Sequence, residues 1–583
     1  MKKNVNKRRT VKQRDLLTII MILGIIVMAN IIASFSFYRF DLTSEKRYTL
    51  TQETLNLLDE IDEKVFIKVY LEGEFPSEIT KLRNATKEFL DEIRARAKDK
   101  IHYEFIDPAG ADDDKTNREF WEQLTKKGLR SSTITISHKA GRQEKIIFPG
   151  AIVSYGEEEM PVQILKSQHR APSGQMLAES INNLEYEFAL AIRQLMSDRT
   201  PKVAFIEGHG ELSELETTDF MNALVEFYNV KRLRIDNQLN SLLNYELGTL
   251  DPTNPIRFDA IVIARPTETF PEMEKFIIDQ YIMNGGKVLW MTNGTIADMD
   301  SLRGRETFLA TNRKLNLEDQ LFTYGVRVNN DMILDRTCGK IDIVTGSYGN
   351  QPKYERFDWY YHPVVSGSGL HPIGSNVDPV ITEFPSTIDT VVTPEIKKTV
   401  LLASSQYSRI LKAPARVSVN IVNIDPNFRG NRVSDLPIAV LLEGDFNSVF
   451  TNRLAPKIAN NESIDFKERT KRNNKMVVVS DGNVAKNPVD KVKNMFYPLG
   501  FDKFTRTIKY GNKEFLMNVM NYLLGDTDLI PSRARGVKLR PLDKERAIFE
   551  RTKWQTINIG VPILIVLVLG IVLAILRKKK YAA

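Results

Sequence analysis

One short run in this 583-residue chain joins groups that can exchange protons to a backbone that can turn sharply: Glu207-Gly208-His209-Gly210-Glu211. It closes the apolar run Lys202 to Glu207 (KVAFIE), so it falls where a strand of an open α/β sheet ends and where such sheets place their ligands. Two glycines let the main chain turn and come close to a ligand, and an imidazole between two carboxylates suits acid–base exchange. These five residues are the candidate ligand- or partner-binding site. The same run also suits a tight strand-to-helix turn, with Glu211 near a helix start and His209 as a hydrogen-bonded spacer. No partner nucleophile accompanies it, so no catalytic residue is assigned.

Other chemistry is sparse. The chain has no G-x-x-x-x-G-K-[ST] segment, no G-x-G-x-x-G after a strand, no H-E-x-x-H and no G-x-S-x-G. That removes the usual means of cradling nucleotide phosphates, holding zinc or presenting a serine nucleophile. Its six histidines, at 102, 138, 169, 209, 362 and 371, include no pair at helical metal-ligand spacing, and His362 and His371 fall in a stretch rich in Gly, Ser and Pro. No metal, no cofactor and no enzymatic activity are expected. Asp112-Asp113-Asp114 lacks the spaced oxygens and glycine turn of a calcium loop and suits a helix start, where acids favour the dipole. Tyr354, Phe357, Trp359, Tyr360 and Tyr361 form a sugar-stacking or protein-binding patch if exposed, and plain core if they cover a sheet edge. The single cysteine, Cys338, forbids an intrachain disulfide and reads as a small buried apolar residue rather than a reactive thiol.

Periodicity supplies the elements that must position these residues. Thr51 caps a short helix over Glu53 to Ile61; strands follow at Lys64 to Leu71, Ile101 to Ile106, Ser132 to Ser137 and Ile146 to Tyr155. Helices fall at Ser77 to Lys98, Asn117 to Lys127 and Ile181 to Met196. This β-α-β-α-β-β-α order, over 39–198, resembles a thioredoxin-like αβ domain, although no Cys-x-x-Cys exists for dithiol chemistry. A larger α/β domain of Rossmann/flavodoxin-like type spans 200–525. Its strands Lys202 to Glu207, Val230 to Ile235, Phe258 to Ala264, Lys287 to Met291, Thr399 to Ala403, Ile438 to Leu442 and Met476 to Ser480 are largely apolar, and its helices are Ser213 to Tyr228, Pro271 to Asn284 and Lys513 to Leu524. Apolar strands separated by helices indicate a parallel sheet covered on both faces.

Both ends of the chain point to a membrane. Leu16 to Phe37 and Gln555 to Leu576 are uncharged apolar stretches of 22 residues, and a helix rising about 1.5 Å per residue spans a hydrocarbon core of about 30 Å with that length. The first is too long for the apolar region of a cleavable signal, and Ile31 stands where a cleavage site around Ala33 needs a small residue at minus three, so it reads as an anchor. Lys2, Lys3, Lys7, Arg8, Arg9, Lys12 and Arg14 precede it, which keeps the basic tail 1–15 in the cytoplasm. Two crossings return the tail 577–583, with Arg577 to Lys580, to the same side, and a linker over 526–554 leads into the second span. The ends carry the basicity: residues 1–38 and 554–583 sum to +10, leaving −3 for the span between them, so no nucleic-acid footprint is expected on the folded part.

Three segments then combine. Asp41-Leu42-Thr43 to Tyr48-Thr49-Leu50-Thr51 lies outside the first membrane helix, Phe205-Ile206-Glu207-Gly208-His209-Gly210-Glu211 is the turn described above, and Arg540-Pro541-Leu542-Asp543-Lys544 precedes the last helix. In that order they resemble the gliding-associated ABC-transporter auxiliary proteins of the GldG type, once described as substrate-binding components, across essentially the whole chain. The resemblance implies a non-catalytic two-pass subunit of the bacterial inner membrane with a periplasmic domain. It would work with a separate permease and a cytoplasmic ATPase, and its α/β domain would resemble one found in intraflagellar-transport proteins. It brings no catalytic residues. A membrane-tethered periplasmic hydrolase, which needs a nucleophile beside His209, and a structural protein binding the envelope or its carbohydrate are the alternative classes.

Overall fold

The computed structural model describes residues 50–524 and 551–581, and ahead of residue 50 only 18, 21–25, 27 and 28. Within 50–524 the segments 98–99, 111–112, 139–140, 166–176, 178–179, 198, 247–248, 252, 350, 369–370, 372, 375–376, 425, 427, 429–432, 455–463, 471–472 and 491 are not described.

Alternation builds the first sheet. In β1 (Val65–Val69) the side chains of Val65, Ile67 and Val69 are buried while Phe66 and Lys68 face out. Helix α1 (Gln52–Glu60) precedes it and is capped by the Thr51 hydroxyl, which accepts from Thr54 N at 3.2 Å. Helix α2 (Ser77–Arg96) turns Ile79, Leu82, Leu90 and Ile93 inward and leads to β2 (Ile101–Phe105), parallel to β1. Helix α3 (Asp114–Lys126) is capped by Asp113, which accepts from the N–H groups of Lys115 and Thr116. The acidic run thus opens a helix through its middle residue.

Beyond α3 the chain departs from the single strand expected over Ile146 to Tyr155. β3 (Ser132–His138) and β4 (Gly141–Ile147) form a separate hairpin, and the strand breaks at Phe148-Pro149, where proline has no N–H to give to a ladder. β5 (Gly150–Tyr155) leaves the hairpin to pair antiparallel with β1, and β6 (Glu158–Gln163) closes the edge, giving the order β2-β1-β5-β6. Helix α4 (Leu184–Leu195) buries its apolar residues and leaves Glu185, Glu187, Arg193 and Gln194 partly exposed.

The second sheet begins with β7 (Lys202–Glu207), whose expected and observed limits coincide. Helix α5 (Glu214–Val225), β8 (Asn229–Arg234), β9 (Ala260–Ala264), helix α6 (Glu272–Met283) and β10 (Lys287–Met291) follow. After β10 come β11 (Cys338–Tyr348) and β12 (Gln351–Gly367), a long hairpin, then β13 (Ile396–Ala403), β14 (Pro437–Gly444), β15 (Asn474–Val479) and helix α7 (Asn512–Leu524). The order is β11-β12-β13-β14-β15-β10-β9-β7-β8. β15, β10, β9, β7 and β8 run parallel, but β14 is antiparallel to β15, and β13 and β12 continue antiparallel. The sheet is therefore mixed where composition suggested a parallel one, because apolar composition reports burial of both faces and not strand direction.

Val203, Phe205, Val262 and Leu289 on one face pack with Phe220 and Leu224 of α5 and Phe515 and Val519 of α7. Ala204, Ile206, Ile261, Ile263 and Trp290 on the other pack with Ile277, Ile278 and Tyr281 of α6. The first of these clusters continues without a break into Ile67, Val69, Leu82 and Leu190, so the two αβ regions share one core. A bridge of polar groups runs along the same seam: the Tyr228 hydroxyl donates to Asn521 Oδ1 at 2.8 Å, and Asn521 Nδ2 to the Tyr186 hydroxyl at 2.9 Å.

Residues Met1–Gly536 and Val537–Ala583 form separate compact units. The second contains helix α8 (Arg551–Tyr581), which starts ahead of the expected Gln555 and carries an apolar, fully exposed stretch over Thr552–Leu576, long enough to cross a membrane. Of the expected first span, Leu16 to Phe37, only Thr18, Met21 to Ile25, Val27 and Met28 are described, and they are helical and exposed; the rest of it, the tail 1–15 and most of the linker 526–554 lie outside the described residues.

Candidate functional site

Within the parallel part, β7 comes first in the chain and lies between β8 and β9. The order β8-β7-β9-β10-β15 therefore reverses beside β7, and in such sheets the crevice between the diverging loops at that point is the usual ligand seat. Here protein closes it. The N–H groups of Thr267 and Glu268, after β9, donate to the carbonyl of His209 at 2.7 and 2.9 Å; Leu212 N donates to Ala264 O at 3.0 Å, and the Thr267 hydroxyl to Gly210 O at 3.0 Å.

The five candidate residues are brought together but differ in their surroundings. His209 is buried, its ring stacked on Phe270 with centroids 3.7 Å apart. Nδ1 lies 3.1 Å from Glu211 Oε1 and Nε2 lies 2.8 Å from Glu274 Oε2, on side chains that are 2% and 9% exposed. Both ring nitrogens therefore lie at hydrogen-bond distance from a carboxyl group, which holds the ring from two sides. Glu211 also accepts from His209 N at 2.7 Å. Glu207 pairs with Arg232, which reaches on to the Thr217 hydroxyl and the Leu212 carbonyl. Gly210 has φ +68°, and a Cβ there would meet Thr267 Oγ1 at 2.0 Å; Gly208 has φ +122°. Both glycines are exposed, so the outer side of the turn offers main chain to solvent while the His209 and Glu211 side chains face inward.

A second polar group sits at the ends of β9, β10 and β15, and the sequence reading did not single it out. Arg265, in a left-handed conformation at φ +56°, pairs with Asp298. Gly482 makes room for it: a Cβ on Gly482 would lie 2.3 Å from Arg265 Cβ and 2.5 Å from its Cα. Asp481 is fully buried and accepts from Glu383 N at 2.6 Å, Asn483 N at 2.8 Å and Asn293 Nδ2 at 3.2 Å. Burial pushes its carboxyl up to about 6 against those hydrogen bonds. Arg313 and Lys486 complete the group. Burial raises the cost of charge on Asp298 too, but the N–H of Asp300 and the Arg265 guanidinium outweigh it and hold its carboxyl below the usual range. One signal was available: Ala264-Arg265-Pro266, Met291-Thr292-Asn293-Gly294 and Val479-Ser480-Asp481-Gly482 each end an apolar strand in polar residues and a Gly or Pro.

The remaining candidates lie elsewhere. His362 is buried on β12 rather than in a loop, beside Trp359 and Phe384. Trp359 and Tyr361 belong to the core, whereas Tyr354 is 60% exposed, so the aromatic run divides along its strand. Burial first, then Asp358 and Asp335, pushes the Cys338 thiol up to about 12, which keeps it protonated. Among the described residues no group of His, Cys, Asp and Glu is placed to hold a metal ion.

The family model described as "ABC-type uncharacterized transport system" matches residues 200–519, the whole of the second sheet with its helices up to α7. The chain belongs to this family of ABC-transporter auxiliary proteins. A model for a domain of unknown function matches residues 44–154. An uncharacterized protein of Borreliella burgdorferi is 23% identical over 452 residues, which cover 76% of this chain and 80% of that one. The solved "mmIFT52 N-terminal domain" overlays at 15% identity with a TM-score of 0.31, covering 56% of this chain and 97% of its own, a likeness too low to bear on the fold.

Proposed function

We propose that this protein is a non-catalytic, extracytoplasmic auxiliary subunit of an inner-membrane ABC transporter of the gliding-associated type, partnered by a separate permease and a cytoplasmic ATPase. The family match over 200–519 carries the reading. The absence of a phosphate-cradling G-x-x-x-x-G-K-[ST] segment from the sequence supports it, since such a subunit draws its energy from another chain. The apolar helix Thr552–Leu576 supports membrane attachment, and the basic residues ahead of Leu16 support a second crossing with both termini in the cytoplasm. The order β2-β1-β5-β6, with β5 reversed, supports a thioredoxin-like first domain, and β8-β7-β9-β10-β15 supports a flavodoxin-like second one. The turn Glu207 to Glu211 then serves to fix the ends of β7 and β9 and to offer its exposed glycine main chain to a partner. Its imidazole has both nitrogens engaged, which weighs against the hydrolase alternative.

The test is isolation of the intact protein from its own membranes in mild detergent. A permease and a nucleotide-hydrolysing subunit should copurify in fixed ratio. Recovery of the protein alone, or with envelope polymer only, would overturn the transporter reading.

A further inference from the structure

Three basic side chains from separate loops gather at the ends of β9, β10 and β15, and among the described residues one of them pairs with no acid. Arg265 is paired with Asp298, and Lys486 approaches Glu216 no closer than 3.8 Å. Arg313 is the base without a carboxylate at pairing distance among the described residues. It is 7% exposed, and its guanidinium reaches only two carbonyls, Thr295 O from Nε at 3.3 Å and Pro266 O from Nη1 at 3.5 Å; among the described residues no carboxylate pairs with it. Burying an arginine without a counter-ion is costly, and native structures rarely leave one so. Burial, and then the charge of Arg265, pulls Arg313 down to about 10, although the charge of Asp298 acts the other way.

Unused hydrogen-bonding groups belong to residues that adjoin two of these side chains. Thr295, whose carbonyl accepts from Arg313, has a buried hydroxyl with no partner among the described residues. Asn487, next to Lys486 in sequence, is fully buried, and among the described residues neither its Nδ2 nor its Oδ1 is bonded. Buried polar atoms of this kind are completed in native proteins by ordered water or by a bound group.

We infer that Arg265, Arg313, Lys486 and the Thr295 hydroxyl form a binding site for a phosphoryl-type oxyanion. A guanidinium fork takes two oxygens of such a group side by side, and an ammonium meets a third as a point charge. A tetrahedral oxyanion can meet donors arriving from several loops, whereas a planar carboxylate presents its two oxygens to one side. Free phosphate and the phosphate of an envelope lipid headgroup share this chemistry. The inference does not depend on the transporter reading, because it rests on this cluster alone.

The test uses the full chain in detergent, titrated calorimetrically with inorganic phosphate and, separately, with dihexanoyl phosphatidic acid, against chloride at equal ionic strength. Saturable binding of inorganic phosphate, no weaker than that of the phosphatidate, assigns the site to the free ion, and binding at least about tenfold tighter for the phosphatidate assigns it to a lipid headgroup. Lys486→Met, at a side chain 26% exposed, should weaken binding about tenfold while melting as the parent does. Arg313→Met should abolish binding, and Lys486→Met remains decisive should Arg313→Met fail to fold. The site is overturned if neither probe binds below about 10 mM, or if a normally folded Lys486→Met binds both unchanged.

Discussion

His209 Nε2 lies 2.8 Å from Glu274 Oε2, which ties the turn after β7 to the first turn of helix α6. Glu274 in turn accepts from Asn237 N at 3.3 Å, so the same carboxylate also fixes the loop after β8. Three chain segments that diverge from the sheet are thereby pinned at one buried imidazole.

Removing that imidazole should destabilise the protein. In His209→Ala the carboxylates of Glu211 and Glu274 stay buried without the group between them, a change that typically costs about 3–5 kcal/mol. The melting temperature of the detergent-purified chain should fall by several degrees. A melt that matches the parent would show that the clasp contributes nothing to stability.

Gly482→Ala should act on Arg265 rather than on Gly482 itself. The added methyl would lie 2.5 Å from Arg265 Cα, and main chain cannot rotate out of the way as a side chain can. A loss of about 2–4 kcal/mol is expected, within the range seen for overpacking and backbone shifts. Gly346→Ala on β11, where an added Cβ meets nothing within 4 Å, is the control and should melt as the parent does.

Asp481 should give the melting curve a pH dependence of definite sign. Its carboxyl rises from 3.8 to about 6 on folding, so the native state holds a proton that the unfolded chain has released across that interval. The associated stability is complete below pH 3.8 and is lost as pH rises through about 6, roughly 3 kcal/mol in all. Asp481→Asn should flatten that part of the profile while lowering stability throughout, because the amide offers one acceptor where the carboxylate serves several donors. An unchanged slope between pH 4 and 6 would mean the group does not titrate there.

Topology is accessible to reporter fusions. A reporter active only in the periplasm should work when inserted in an exposed loop of the folded body, such as the Gly304 turn, and fail when fused after residue 583. Activity at residue 583 would place the C-terminus outside and contradict two crossings.

Short apolar runs were legible in the sequence because their composition and limits leave little choice: KVAFIE and KVLWM became β7 and β10 without adjustment. β6 was hidden because its sequence, EEMPVQ, belongs to an edge strand with two exposed glutamates. The candidate turn was visible from its glycines. Its meaning was not, since Glu274 and Phe270 arrive from another loop and helix and nothing in the local pattern announces them. Arg313 escaped for a related reason: a lone base carries no local signal of burial, and only its contacts with Pro266 and Thr295 reveal that it is buried.

Leu50 and Leu523, near opposite ends of the described body, belong to the same hydrophobic cluster. Their shared core joins the two αβ regions of the 50–524 segment, and each aliphatic side chain fully buried in it contributes about 1.5–3 kcal/mol. A protease that nicks a surface loop should therefore leave fragments that stay associated until they unfold together. A displacement imposed at Leu523 would reach Leu50 without a slack joint between them, as through a strut.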